Sequence, residues 1–172
     1  MQRLEKDKQL RIIYRNATLD DLTQVMNINR VCLPENYTYS FFHSLLMEYP
    51  KAFWVAEHEG KVVGYVMCRI ERILSKIDPL RIRKAGHIVS VAMLPEYRRR
   101  GIGFELMRRT VDSLREVYNC DEAYLEVRVS NEPAINLYKK LGFAIVSVQK
   151  SYYVDGEDAY VMARRLKHQG AA

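Results

Sequence analysis

The chain has 172 residues, enough for one domain with a substantial core, and a formal net charge of +6 from 27 Lys+Arg against 21 Asp+Glu. With 48% hydrophobic and 28% charged residues, no Pro/Gly/Ser-rich linker, no repeat and no low-complexity tract, it falls outside the disordered and fibrous classes. No apolar run is long enough to span a membrane, and residues 1–8 lack the apolar core of a signal peptide, which points to the cytoplasm. The positive charge suits an anionic ligand or a place near the ribosome, and equally suits solubility alone.

Residues 1–10 are polar and read as a flexible end. Arg11 to Asn16 is predicted as a first strand. Thr18 then opens a helix running to about Arg30, with Thr18-x-x-Asp21 as a capping-box variant. Pro34 interrupts in the turn Leu33-Pro34-Glu35-Asn36-Tyr37, and Thr38 or Ser40 starts a second helix. Ala52 to Glu57 and Val62 to Ile70 alternate as strands joined by a hairpin turn at Glu59-Gly60. The charged stretch from Leu74 to Gly86 holds Pro79 and is expected to be a mobile loop. His87 to Met93 is a fourth strand, with His87, Val89, Val91 and Met93 on one face at period 2. Met107, Val111, Leu114 and Tyr118 then recur at helical spacing.

Ala123 to Val129 alternates cleanly, with Glu126 and Arg128 opposite Leu125 and Val127. Asn131 can cap the next helix, Pro133 fits its first turn, and Gly142 ends it. Two closing strands, Ala144 to Val148 and Ala159 to Leu166, flank a turn at Asp155-Gly156-Glu157-Asp158. Cys32, Cys68 and Cys120 are odd in number and without metal-ligand spacing. They read as reduced packing residues, and no metal site is expected.

One stretch carries chemistry on its face. Between the fourth strand and the following helix lies Arg98-Arg99-Arg100-Gly101-Ile102-Gly103. A helix start leaves its first N–H groups without intrahelical partners, and these donors, the helix dipole and three arginines make a seat for an anion such as a pyrophosphate. Two glycines let a ligand approach the backbone. No Gly-Lys-Ser/Thr follows, so the loop is not a Walker loop, and it is not G-x-G-x-x-G.

The loop fits Arg98-x-x-Gly101-x-Gly103, the pattern by which the GNAT acetyltransferase superfamily holds acetyl-coenzyme A. Further strings resemble one branch, the protein N-terminal α-amino acetyltransferases of the NatA catalytic-subunit type with their single-chain archaeal relatives. They are Leu33-Pro34-Glu35-Asn36-Tyr37, Gly86-His87-Ile88, Val127-Arg128-x-Ser130-Asn131, Leu137-Tyr138, Leu141-Gly142-Phe143 and Tyr152-Tyr153-x-Asp155-Gly156-Glu157-Asp158-Ala159-Tyr160. The likeness covers residues 11–166 and implies the α/β GNAT fold, a mixed, mostly antiparallel sheet flanked by helices. The order strand-helix-helix-strand-strand-strand-helix-strand-helix-strand-strand agrees with it. Residues 167–172 are then a flexible tail.

The resemblance also implies roles. His87 and Glu126 would act as a pair of bases, through water, on an amine whose reference pKa is roughly 8. The Val91 N–H would hold the acetyl carbonyl, and Ala92 and Met93 would offer main-chain pairing to the pantetheine. Residues 98–104 (Arg98, Arg99, Arg100, Gly101, Ile102, Gly103, Phe104) would carry the pyrophosphate. Asn131 and Tyr138 would contact coenzyme A, with the Tyr138 hydroxyl near the leaving sulfur. Glu35, Tyr37, Tyr152 and Tyr153, together with His87, would grip the N-terminus of a nascent or completed protein. Rival readings are an acetyltransferase devoted to one ribosomal protein, or a non-catalytic RNA binder using Arg98 to Arg100 with Arg164, Arg165 and Lys167. Ribosome association and an auxiliary subunit stay open.

Overall fold

The computed structural model describes residues 10–167, so the expected flexible ends at 1–10 and 167–172 lie almost wholly outside the described residues. Strand β1 (Ile12–Asn16) is followed by helices α1 (Leu22–Cys32) and α2 (Tyr39–Glu48). Strands β2 (Trp54–His58), β3 (Lys61–Leu74) and β4 (Ile82–Met93) form a meander. Helix α3 (Ile102–Glu116), β5 (Glu122–Arg128), α4 (Glu132–Lys140), β6 (Ala144–Gln149) and β7 (Ala159–Arg165) complete the expected order. A seven-stranded sheet runs β1-β2-β3-β4-β5-β7-β6, with every pair antiparallel except β4–β5.

Local chemistry accounts for the boundaries. Asp21 Oδ2 accepts the Thr18 N–H at 2.7 Å, the reciprocal half of the capping box, before one 3-10 turn leads into α1. Thr38 caps α2 through the Phe41 N–H, and Asn131 caps α4 through the Ala134 N–H. Glu59 and Gly60 both have positive φ, 49° and 79°, as a two-residue hairpin turn requires. Helix α3 buries Ile102, Leu106, Met107, Thr110, Val111 and Leu114, and stops before Tyr118, which lies past its end.

Helices α1 and α2 cover one face of the sheet and α3 covers the other. Phe42 of α2 meets Tyr65 of β3 edge to face at 6.3 Å. On the opposite face Leu114 of α3 sits where a Cβ on Gly86 would fall, 2.6 Å away, so only glycine lets helix and sheet approach this closely.

Two expectations need correction. The Leu74 to Gly86 segment is not a long loop: β3 runs to Leu74 and β4 begins at Ile82. The tip between them is anchored by buried Glu122, whose carboxylate accepts from the Ser75 hydroxyl and the Lys76 N–H, while Ser75 Oγ accepts from the Ile77 and Asp78 N–H groups. Of the charged residues that suggest a loop, Arg83 and Lys84 sit on β4, and Lys76, Asp78 and Arg81 sit in the short tip between the strands.

The second correction concerns β4. Met67 pairs with Ser90 but Cys68 pairs with Ile88, so Val89 is an extra residue, a β-bulge. The period-2 face breaks there. Val91 and Met93 share a face with Ile88 and Gly86, whereas His87 turns to the face of Ser90 and Ala92.

Candidate active site

The bulge has a second effect. Parallel pairing of β4 with β5 is confined to Ala85↔Glu122, Gly86↔Ala123 and His87↔Tyr124. Beyond it the strands part, and a cleft of about 320 Å³ opens between them. Ile88 to Val91 line one side, Leu125 to Arg128 the other, with Tyr138 of α4 and the α1–α2 and β6–β7 loops around the rim.

Of the residues expected at the site, the cleft brings together Glu35, Tyr37, Val91, Glu126, Asn131, Tyr138, Tyr152 and Tyr153. His87 is not in its wall. It lies buried behind Glu126, with Nε2 2.7 Å from Glu126 Oε2. Ala92, Met93 and the glycine loop also lie outside the wall, continuing from the end of β4 into α3.

Sequence reasoning missed the other partners of His87. Its Nδ1 is 3.2 Å from Glu71 Oε1 and 3.3 Å from an Arg69 guanidinium nitrogen, and its ring stacks on Tyr124 at 4.4 Å with 4° between planes. The Tyr124 hydroxyl donates to Glu71 Oε2 at 2.8 Å, and Arg69 Nε donates to Oε1 at 2.8 Å. Burial opposes ionisation of Glu71, yet the Tyr124 bond, the facing His87 and Arg69 together hold its carboxyl below the usual range. Burial, with the bond to Glu71, pushes the Tyr124 hydroxyl far up. The signal available in the sequence was the period: Glu71 is two residues from Arg69, and Tyr124 two from Glu126, each on one strand face.

The rim is tied by one side chain. Arg128 donates to Glu35 at 2.7 Å from the α1–α2 loop and to Asp155 and Glu157 at 2.8 and 2.9 Å from the β6–β7 loop. Its guanidinium also lies 4.0 Å from the Tyr153 ring centroid. Tyr37 stacks on Phe41, and Tyr152 meets Tyr153 edge to face. Burial raises the hydroxyl pKa of Tyr37, Tyr152 and Tyr153, with Glu35 and Glu126 adding to it. Burial alone pushes Tyr138 up to about 12, so its hydroxyl keeps its proton at neutral pH.

The glycine loop has the form of an anion seat. Arg99 and Gly101 both adopt positive φ, 61° and 79°, and the N–H groups of residues 99–104 find no acceptor among the described residues. Arg98 is turned the other way: its Nε donates to the Met93 carbonyl at 3.1 Å, locking the loop to the end of β4. A Cβ at Gly103 would lie at ordinary contact distance from Leu137 of α4 and Met93, 3.7 and 4.0 Å. Asn131 lines the cleft and uses its side-chain oxygen in capping α4, and its side-chain N–H groups find no acceptor among the described residues.

The acetyltransferase (GNAT) family model matches residues 22–143. An N-alpha-acetyltransferase of Sulfurisphaera tokodaii is 56% identical over 163 residues, covering 94% of this chain and 96% of the relative. One of Caenorhabditis elegans is 45% identical over 156 residues, covering 88% and 81%. Among solved structures, Ard1 from Thermoplasma volcanium superposes with a TM-score of 0.77 at 31% identity, covering 91% of this chain and 99% of that one. Matches of this extent, over a parted parallel strand pair and an anion seat opening α3, leave no doubt about descent: the chain belongs to the GNAT acetyltransferase family, on the branch of the archaeal N-alpha-acetyltransferases.

Proposed function

We propose that the chain transfers the acetyl group of acetyl-coenzyme A directly to the α-amino group at protein N-termini, with Glu126 and His87 receiving the amine's proton. The observation that carries this reading is Glu126: a carboxylate in the cleft wall, backed at 2.7 Å by a buried histidine, below a rim of tyrosines. The residues fit the coenzyme. A seat of unpartnered N–H groups at 99–104 suits a pyrophosphate, and the β4 edge at Val91 to Met93 has no β5 partner beside it. When bound, the thioester supplies an activated carbonyl and a thiolate leaving group.

The chain's own residues do the rest. Glu126 takes the amine's proton at the cleft surface, directly or through one water, and His87 backs it. The Val91 N–H steadies the carbonyl oxygen as charge develops on it. Tyr138, still protonated, hydrogen-bonds the departing sulfur. Arg128 keeps the two rim loops together so that an extended N-terminus enters and a side chain within a folded segment does not.

Nascent chains at the ribosome are one source of such N-termini, and the net charge of +6 favours a polyanionic neighbour. Every residue assigned a role belongs to this one chain, so the purified chain alone is the reagent for the test. A peptide array varying the first two residues should show acetylation, and blocking the α-amino group while leaving a lysine free should abolish it. Turnover on the blocked peptide would move the reading to lysine side chains. Alanine at His87 or Glu126 should each lower kcat by roughly ten- to ten-thousand-fold with less change in KM for acetyl-coenzyme A.

A further inference from the structure

Helix α1 carries a polar residue where its apolar stripe calls for another hydrocarbon. Leu22, Val25 and Ile28 are buried along that stripe, and Asn29, 1% exposed, is buried beside them. A primary amide in that place costs stability unless its N–H groups and its oxygen find partners. Asn29 finds them outside its own helix. Its Nδ2 donates to the Glu35 carbonyl at 3.0 Å, and its Oδ1 accepts from the Tyr37 N–H at 3.4 Å.

We propose that Asn29 is a positioning residue for the proposed reaction: its side-chain amide fixes the main chain at Glu35 and Tyr37, and so sets how tightly the cleft grips a peptide N-terminus and which first residue it prefers.

The loop has little else to hold it. Residues 34–37 make no main-chain-to-main-chain hydrogen bond among the described residues, and Pro34 has no N–H to give. The two bonds from Asn29 therefore hold the main chain of this loop, while Arg128 holds the Glu35 side chain. One amide offers a donor and an acceptor together, and here they meet a carbonyl and an N–H on either side of Asn36. The grip thus places Glu35 and Tyr37, both in the cleft wall, and leaves Asn36 exposed between them.

The same helix is tied to the other half of the site. One turn beyond Asn29, Cys32 Sγ donates to the Met93 carbonyl at 3.3 Å, at the end of β4. Helix α1 thus sets the peptide loop relative to the strand whose Val91 N–H is assigned to the acetyl carbonyl. Without the Asn29 bonds, each incoming peptide would have to order the loop as it bound. That ordering cost appears as weaker peptide binding and leaves the coenzyme seat, on the far side of β4's end, untouched.

The proposal rests on the chain acetylating peptide α-amines, and the experiment separates the two claims. Asn29→Leu removes both bonds at nearly constant volume. It should raise KM for a Ser-starting peptide by about five- to thirtyfold, the scale of one or two hydrogen bonds lost, with KM for acetyl-coenzyme A moving less than about twofold. The preference in kcat/KM for Ser-starting over Met-starting peptides should fall severalfold. In a Glu35→Val background Asn29→Leu should still raise KM for peptide but leave that preference nearly unchanged, because the side chain it places is gone. A variant that merely folds less well lowers kcat for all peptides alike and moves neither KM, and that pattern overturns the proposal. So do a wild-type peptide KM and preference in Asn29→Leu. Whether or not the variant folds, deuterium exchange on the wild type tests the grip itself: the Tyr37 N–H should exchange roughly a hundredfold more slowly than the Asn36 N–H, and equal rates overturn the proposal. If the wild type acetylates no free α-amine, the functional reading falls instead.

Discussion

Gly101 shows how much one residue can hold. Its φ of 79° is left-handed, and a Cβ there would meet nothing within 4 Å, so the cost of replacing it is backbone strain rather than collision. Gly101→Ala should lower stability by about 1–2 kcal/mol, read as a fall of a few degrees in Tm, while Gly101→Asn, which tolerates this region, should cost less. Equal Tm values for the two variants would show that the loop relaxes out of this conformation. Glu35 is the other single residue with a sharp consequence. Its carboxylate lines the cleft and accepts from Arg128. A large apolar first residue beside it strips its water without a replacement partner, whereas serine or alanine leaves room. The wild type should thus favour small first residues. Glu35→Val should raise kcat/KM for Met-starting relative to Ser-starting peptides by about 1–3 kcal/mol. An unchanged ratio would leave Glu35 only its bond to Arg128.

Among the elements, β4 and the rim loops matter most. Arg128 is a forked donor bridging a loop from each side, and a lysine there has one compact charge with no fork. Arg128→Lys should raise KM for peptide severalfold and leave KM for acetyl-coenzyme A nearly constant; the reverse pattern would place Arg128 on the coenzyme side. This scale also shows what a reader of the residues can and cannot see. Caps at Thr18, Thr38 and Asn131 and the hairpin at Glu59-Gly60 are local chemistry, legible in a few neighbouring letters. The bulge at Val89 is not. It arises from register against Met67 and Cys68 of β3, remote in the chain, and no local signal announces one unpaired residue inside an even alternation. Hence His87 and Glu126 were recognisable as a pair while their depth was not. Tyr124 reads as an ordinary strand residue and Glu71 falls just past the expected end of its strand at Ile70, because their partners come from other strands. The tip at 75–81 misled for the opposite reason: its charges and proline read as a loop, and its order depends on Glu122, remote in sequence.

For the whole molecule, ionisation bounds the range over which the fold is stable. Burial opposes the charges of Asp21, Glu71 and Asp121. Arg15 at the first, Tyr124 and His87 at the second, and the Lys84 N–H and Lys167 at the third outweigh it, so all three titrate below their ordinary values. A carboxyl with a depressed native pKa lends stability above its unfolded value, and that stability drains away as pH falls through the native one. At the other end, burial pushes Tyr65 and Tyr138 up to about 12. Groups raised in this way lend stability below the unfolded pKa and withdraw it as pH climbs toward the native value. Tm should thus be level between about pH 5 and pH 9, fall below about pH 4 and fall again above about pH 10. Asp21→Asn should flatten the acid limb, and a limb of unchanged slope would remove Asp21 from the account.

The parting of β4 from β5 leaves a sheet joined across its middle by a seam of residues 85–87 and 122–124, with α3 and α4 packed alongside. Such a seam works like the spine of a half-opened book: the covers are rigid, and what lies between the pages is missing rungs of the ladder. A guest with amides along its length is then a substitute strand, knitting the covers together as it enters. Main-chain protons along 88–93 and 125–128 should exchange with deuterated solvent faster in the free protein than with coenzyme A present, while those of the seam stay equally slow in both. Uniform slowing over the entire chain would mean that the guest stabilises the fold as a whole and leaves the covers unknit.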